Sequence, residues 1–205
     1  MGSGTRDKML MGAVDLIRRR GVNATSVREV VRHTDTPRGS IRHHFPDGKL
    51  QLVQEAVVLA GQEVSVPLRQ LTAERGAVAG LRVFIGLWKQ VLAASAFEAG
   101  CPVLAVAVEQ YIGEDGNPQP EAEQRLRELT AAIFSEWQQI LEGALAKDGV
   151  PTVRASRLAT LVVASVEGTV AMCRAARSNA PLDDVLAELE LAIAGALPAA
   201  RGKRG

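Results

Sequence analysis

Apolar positions in this chain recur at helical spacing over most of its length. Leu10, Ala13, Val14 and Ile17 fall at i, i+3, i+4 and i+7, which predicts a first helix with Thr5 as its cap. Arg18-Arg19-Arg20 then Gly21 suit its C-terminus. Ser26 followed three residues later by Glu29 has capping-box spacing, and Val27, Val30 and Val31 supply the buried face of a short second helix that stops near His33. Thr36 as N-cap and Pro37 at the first helical position predict a third helix over 37–45. Phe45-Pro46-Asp47-Gly48 is a break, and a fourth helix over 49–65 follows, with Leu52, Val53, Ala56, Val57 and Ala60 on one side and Pro67 ending it.

The remaining pattern predicts helices over 76–95, 103–111, 121–147, 152–178 and 181–197, with an evident loop over 113–120. No strand and no internal repeat is found. The chain therefore reads as all-α, and 25–45 as short helix, tight turn, short helix, the helix-turn-helix layout.

Composition agrees. Hydrophobic residues are 47% and charged residues 23%, as in globular proteins, and 3% aromatics argues against a β-sandwich or barrel. No run of 18 apolar residues and no signal-type N-terminus is seen, so a cytoplasmic protein without a membrane partner is expected. Cys101 and Cys173 form neither a disulfide scaffold nor a zinc site, and no cofactor or metal is implied.

Charge is uneven. Residues 1–50 hold ten Lys or Arg and five acids, a net +5, which leaves −4 for the remainder; His33, His43 and His44 also lie there. A basic head on a mildly acidic body fits an encounter with a polyanion, and equally an ordinary solvated basic face. A helix-turn-helix puts the start of its second helix at base edges. Here that helix offers Thr36, Arg38, Gly39, Ser40, Arg42, His43 and His44, donors suited to phosphates and to guanine acceptors. Ile41 and Phe45 face inward. Lys49 opens the next helix, where its charge and backbone N–H groups can face a phosphate. His33, at a helix end, reads as a cap or a solvent group.

The segments Thr25-Ser-Val-Arg-Glu-Val-Val31, Pro37-Arg-Gly-Ser-Ile-Arg-His-His-Phe45 and Pro46-Asp-Gly-Lys49 resemble the DNA-binding domain of the TetR family of transcriptional repressors, over about residues 5–55. Gly100-Cys-Pro-Val-Leu-Ala-Val-Ala-Val-Glu109 looks like the LmrA/YxaF-type branch. Two positions depart from the family pattern. Asp35 stands where a turn Gly is usual, and Arg42 where a phosphate-contacting Tyr is usual. Asp tolerates the left-handed conformation, so the turn can survive. Arg42 can reach a phosphate or read a guanine.

The resemblance implies a three-helix head over 1–48 and a helical ligand-binding and dimerisation domain over 49–200; the Gly-interrupted basic tail over 201–205 is expected to be disordered. It implies Arg28, Arg38, Ser40 and His43 near base edges, and Thr25, Thr36, Arg42, His44 and Lys49 near phosphates.

For the body it implies an apolar effector pocket lined from Phe84, Trp88, Val91, Val103, Val106, Tyr111, Phe134, Trp137, Leu141 and Met172. Core packing accounts for any one of these equally simply. Glu109 and Glu167 are acids within apolar helices, read either as polar anchors for ligand or as hydrogen-bonded or solvent-facing acids. Cys101, at a helix start, reads either as a sensor thiol or as a buried inert cysteine. The Ala-, Leu- and Val-rich last two helices are expected to build a four-helix bundle across a two-fold dimer.

These readings converge on a homodimeric, ligand-responsive repressor of a palindromic DNA operator, released by a small apolar effector. The alternatives are a ligand-independent DNA-binding or architectural protein, or a module whose basic head binds a protein. An enzyme is not expected, because the histidines are far in sequence from Cys101 and no GxSxG or P-loop pattern occurs.

Overall fold

The computed structural model describes residues 4–37 and 39–198. Arg38 and the tail expected at 201–205 lie outside them. Among the described residues every regular element is a helix: α1 (Thr5–Arg20), α2 (Val27–Thr34), α3 (Ser40–His44), α4 (Gly48–Arg75), α5 (Ala77–Ala94), α6 (Pro102–Val108), α7 (Pro120–Lys147), α8 (Thr152–Ala176) and α9 (Ala180–Ala194). The single β-bridge pairs Ile112 with Pro118 in the loop before α7.

The chain divides into two compact units. The first runs to Val64 and takes in Ser95–Phe134; the second comprises Ser65–Ala94 and the chain from Ser135 onward. As a compact body, then, the head extends past residue 48 to include the first part of α4, α6 and the start of α7.

In the first unit, α1 buries Met9, Ala13, Val14, Leu16 and Ile17. The α4 stripe Leu52, Val53, Ala56, Val57 and Ala60 is also buried. Each large aliphatic side chain removed from water in this way stabilises by at most about 1.5–3 kcal/mol. Gly4, not Thr5, is the N-cap of α1, and no side chain caps that helix. Gly21 ends it at φ 84°, a conformation open to glycine at little cost.

Four element boundaries differ from expectation by three residues or more; α9 ends at Ala194 rather than at 197. Pro67 lies inside α4, which continues to Arg75. The local signal fails because proline removes one N–H and crowds one carbonyl, a defect a long helix packed on both sides of it can absorb. α3 is confined to Ser40–His44, with Gly39 rather than Thr36 as N-cap and Pro37 outside the helix. α6 stops at Val108, so Glu109 and Tyr111 lie on irregular chain.

In the second unit α5, α8 and α9 pack together. Lys89–Asp183 at 2.6 Å and Arg82–Glu190 at 2.7 Å join α5 to α9. The Asp148 carboxylate accepts from the Ala77 N–H at 2.7 Å and so caps α5 from a distant turn. α5 and α8 are long and apolar enough, by length and composition alone, to cross a membrane, although neither holds an unbroken run of 18 apolar residues. Both are packed against α9, and each buries one side in the second unit.

α1 meets α2 closely at Gly12, where a Cβ would overlap the Thr34 Cγ2. Gly12→Ala is expected to lower stability in denaturant unfolding by about 1–2 kcal/mol, the overlap outweighing the ~1 kcal/mol helix-propensity gain. Adding Thr34→Ser, which removes that methyl and keeps the hydroxyl, is expected to restore the loss.

Candidate nucleic-acid interface

The α2–turn–α3 unit is built from local chemistry. The Ser26 side chain accepts from the Glu29 N–H and caps α2. The Glu29 carboxylate completes no capping box; it pairs with Arg32 at 2.7 Å and Arg20 at 3.4 Å. Asp35 closes α2 in the left-handed region, φ 49° and ψ 50°, with its N–H on the Val31 carbonyl. The substitution of a turn Gly by Asp is thus tolerated as expected. Thr34 and Thr36 hydroxyls hydrogen-bond at 2.9 Å across this turn. The Ser40 hydroxyl donates to the Pro37 carbonyl at 2.5 Å. Ile41 and Phe45 are buried, as their spacing predicted, and the Arg6 guanidinium stands 5.1 Å over the Phe45 ring.

Arg28, Gly39, Arg42 and His43 are exposed, while Thr36, Ser40 and His44 are half-buried. A Cβ at Gly39 would meet nothing within 4 Å, so this end of α3 is open to close approach. The His43 and His44 rings meet edge to face at 5.1 Å. A groove of about 1200 Å³ runs past Arg28, Thr36 and Arg42, with Arg32, Asp47 and Glu114 also on its walls.

Two residues expected at phosphates point inward. Thr25 is 1% exposed and its hydroxyl donates to the Gly21 carbonyl at 2.8 Å, tying the α1–α2 corner. Lys49 is 6% exposed. Its ammonium donates to the Ile112 carbonyl at 2.8 Å and lies 5.2 Å from the Tyr111 ring centroid. Burial pushes the Lys49 ammonium below its ordinary value, and the carboxylates of Glu114 and Glu109 partly offset this. His33 is solvent-exposed, and its Nε2 is 3.1 Å from the Asp15 carboxylate.

Lys49 belongs to a larger polar clasp within the first unit. Glu109 Oε2 accepts from the Val22 N–H at 3.1 Å and the Asn23 N–H at 3.2 Å. Asn23 reciprocates, donating from Nδ2 to the Gln110 carbonyl at 2.6 Å and accepting from the Ile112 N–H at 3.0 Å. Glu114 Oε1 accepts from the Val27 N–H at 3.3 Å, at the start of α2. Nearby, the Gly100 N–H donates to the Arg18 carbonyl at 2.8 Å and Arg19 meets Glu98 at 3.4 Å. The segment on either side of α6 is therefore stitched to the corner between α1 and α2. Sequence reasoning missed Asn23, Glu98 and Glu114 in this role, because their partners lie 79–89 residues away.

The expected effector lining divides between the units. Cys101, Val103, Val106, Glu109, Tyr111 and Phe134 belong to the first; Phe84, Trp88, Val91, Trp137, Leu141, Glu167 and Met172 belong to the second. Glu109 and Tyr111 belong to the head clasp, through the Val22 and Asn23 N–H groups and the Lys49 ammonium. Val91 and Met172 are exposed. The others are buried, apart from half-buried Glu109 and Phe134. Cys101 caps α6, its Sγ accepting from the Leu104 N–H at 3.4 Å.

With this geometry in view, residues 10–56 match the family model described as bacterial regulatory proteins, tetR family. Residues 77–188 match the C-terminal domain of LmrA/YxaF-like transcriptional regulators. The chain belongs to the TetR family of transcriptional regulators. An HTH-type transcriptional regulator of Mycobacterium tuberculosis is 35% identical over 95% of this chain and 97% of its own length. The TetR-type regulator LmrA of Bacillus subtilis is 27% identical over 87% of this chain and 90% of that one. These relatives are regulators, not enzymes. The TetR fold recurs in a regulator from Legionella pneumophila, at 20% identity and TM-score 0.77 over 93% of this chain and 98% of that one. It recurs also in one from Rhodobacter sphaeroides, at 17% identity and TM-score 0.78 over 93% and 99%.

The clasp leaves a titration signature. Tyr111 is the one tyrosine of the chain, and burial, with the Glu114 charge, pushes its phenol up to about 12. Between pH 10 and 12 the unfolded chain holds fewer protons than the folded one. Stability from this group is therefore complete below pH 10 and lost as pH rises towards 12. Lys49, with a depressed folded value, works in the opposite sense, adding stability as pH rises through that value. Tyrosinate absorbance of the folded chain is expected to develop well above pH 10; titration at the ordinary phenol value would show an open Tyr111.

Proposed function

We propose that this TetR-family regulator is a ligand-responsive repressor that grips a palindromic operator as a homodimer. The observation that carries the reading is the capped α2, the left-handed Asp35 turn and the short α3, which together leave Arg28, Arg42 and His43 exposed around an open Gly39. A unit of this form lays its second helix in the major groove, and two copies about one DNA turn (~34 Å) or more apart read a palindrome. Arg28, Arg38, Ser40 and His43 are assigned to base edges; Thr36, Arg42 and His44 to phosphates. A DNA-bound regulator of this kind works in the cytoplasm.

Apolar side chains left uncovered on the last helices support dimerisation. Val153, Leu161 and Met172 on α8 and Leu191 on α9 are exposed, and the small Ala164, Gly168 and Ala171 lie exposed beside them. Leu158, Val162, Leu182, Leu189 and Ile193 are instead buried in the core of the second unit. A self-complementary patch of this type suits a two-fold interface. The aromatic groups Phe84, Trp88 and Trp137 with Leu141 and Glu167 suit an apolar effector held by one polar group. An effector that prefers the released state by about 100-fold supplies about 2.7 kcal/mol of coupling.

Selection from a random DNA library at near-physiological salt, followed by addition of apolar compounds, tests this directly. Enrichment of a palindrome and release by a compound are expected. Enrichment without release would favour the ligand-independent reading, and no enriched motif an architectural one. If Arg42 meets a phosphate, Arg42→Tyr is expected to flatten the dependence of log affinity on log salt by about 0.9. An unchanged slope with altered sequence preference would place Arg42 at a base instead.

A further inference from the structure

Two donors of the kind that bind DNA phosphates are occupied by the chain itself, and both acceptors lie in one short segment. The Val27 N–H, at the start of α2, donates to Glu114. The Lys49 ammonium, at the start of α4, donates to the Ile112 carbonyl. The two donors sit on different helices, and each is at a helix start, the kind of position from which backbone N–H groups and lysines bind phosphates. Glu114 is also exposed on the wall of the groove that holds Arg28, Thr36 and Arg42. Of the other acids on that groove, Glu29 is held by Arg32 and Arg20, while Asp35 and Asp47 are fixed in turns outside the helices. Glu114 belongs to a turn closed on itself. The Gly113 N–H donates to the Asn117 carbonyl at 2.9 Å, and the Asp115 carboxylate accepts from the Asn117 N–H at 3.1 Å.

We infer that residues Ile112–Glu114 form an autoinhibitory strap, which holds the α2 start and Lys49 in the free protein and must yield both to phosphates when the head docks on DNA. The inference rests on the DNA-binding reading. The Glu114 carboxylate stands in for a phosphate at the helix start, and its charge opposes a real one beside Arg28 and Arg42. Once the strap swings off, Lys49 regains solvent and can extend to the backbone of the duplex. The strap therefore trades head order in the free state against affinity, and its two effects have opposite signs.

That opposition makes the test. The full chain is titrated with a random-sequence DNA duplex over a range of salt concentrations, as wild type, Glu114→Gln and Lys49→Met. Glu114→Gln is expected to bind about 2- to 5-fold more tightly while melting about 1–3 °C lower, because it loses a favourable charge at α2. Lys49→Met is expected to bind more weakly and to flatten the salt slope by about 0.9, one phosphate contact. Wild type that binds no DNA at any salt would remove the DNA-binding reading, and the strap with it. Wild type that binds, with Glu114→Gln equal or weaker, would make the segment a plain structural support and overturn the strap alone. So would an unchanged slope for Lys49→Met, since Lys49 would then remain on Ile112 in the complex.

Discussion

One carboxylate holds the corner on which the head depends. Glu109 receives two consecutive backbone N–H groups, those of Val22 and Asn23, in the link between α1 and α2. Both donors lie just beyond the end of α1, where no helix ladder can satisfy them. A hydrogen bond to an ionised group contributes about 1.5–3 kcal/mol when protected from water, and less here because Asn23 is exposed. Gly21 makes the contact geometrically feasible: a Cβ there would collide with the Glu109 carboxylate, and its φ of 84° disfavours other residues.

From that corner the rest of the head follows. Thr25 turns its hydroxyl back on Gly21, so α2 begins at a defined point. Ser26 caps it and Asp35 ends it, and the distance from Asp35 to α3 leaves only a few residues in which to reverse direction. Ile41 and Phe45 are then buried where α3 packs against α1. Asn23, Lys49 and Glu114 extend the same clasp along 110–114. The clasp thus joins the chain after α6 to three helix ends at once, through hydrogen bonds rather than apolar packing. Polar contacts of this sort can be exchanged for others of equal strength, whereas a packed core cannot be rearranged as cheaply.

What was legible in the sequence was local. Helix periodicity, the Ser26 cap, the Gly21 stop and the tolerance of Asp for the left-handed turn are all decided within a few residues, and the structure has each of them. The family resemblance was legible for the same reason, since the motif is a run of caps and turns. Pro67 misled because the helix is held by partners on both sides of it. The resemblance and, for Lys49, the helix start pointed Thr25 and Lys49 to phosphates, and neither could show the carbonyl each holds in the free chain: Gly21 for the first, and Ile112, 63 residues on, for the second. Glu109 reads in sequence either as a polar anchor for ligand or as a hydrogen-bonded acid, and in the free chain it is hydrogen-bonded, to partners 86 and 87 residues away; Tyr111 is expected in the lining for its bulk. Long-range pairings leave no period in a single sequence.

Amide hydrogen exchange on the free chain tests the clasp most directly. If the Glu109 carboxylate holds the corner, the Val22 and Asn23 amides exchange slowly although Asn23 lies on exposed, non-helical chain, and Glu109→Gln speeds both while leaving the buried α4 amides unchanged. Exchange of Val22 and Asn23 at the rate of an open loop in the wild type, or rates indifferent to Glu109→Gln, would contradict the account.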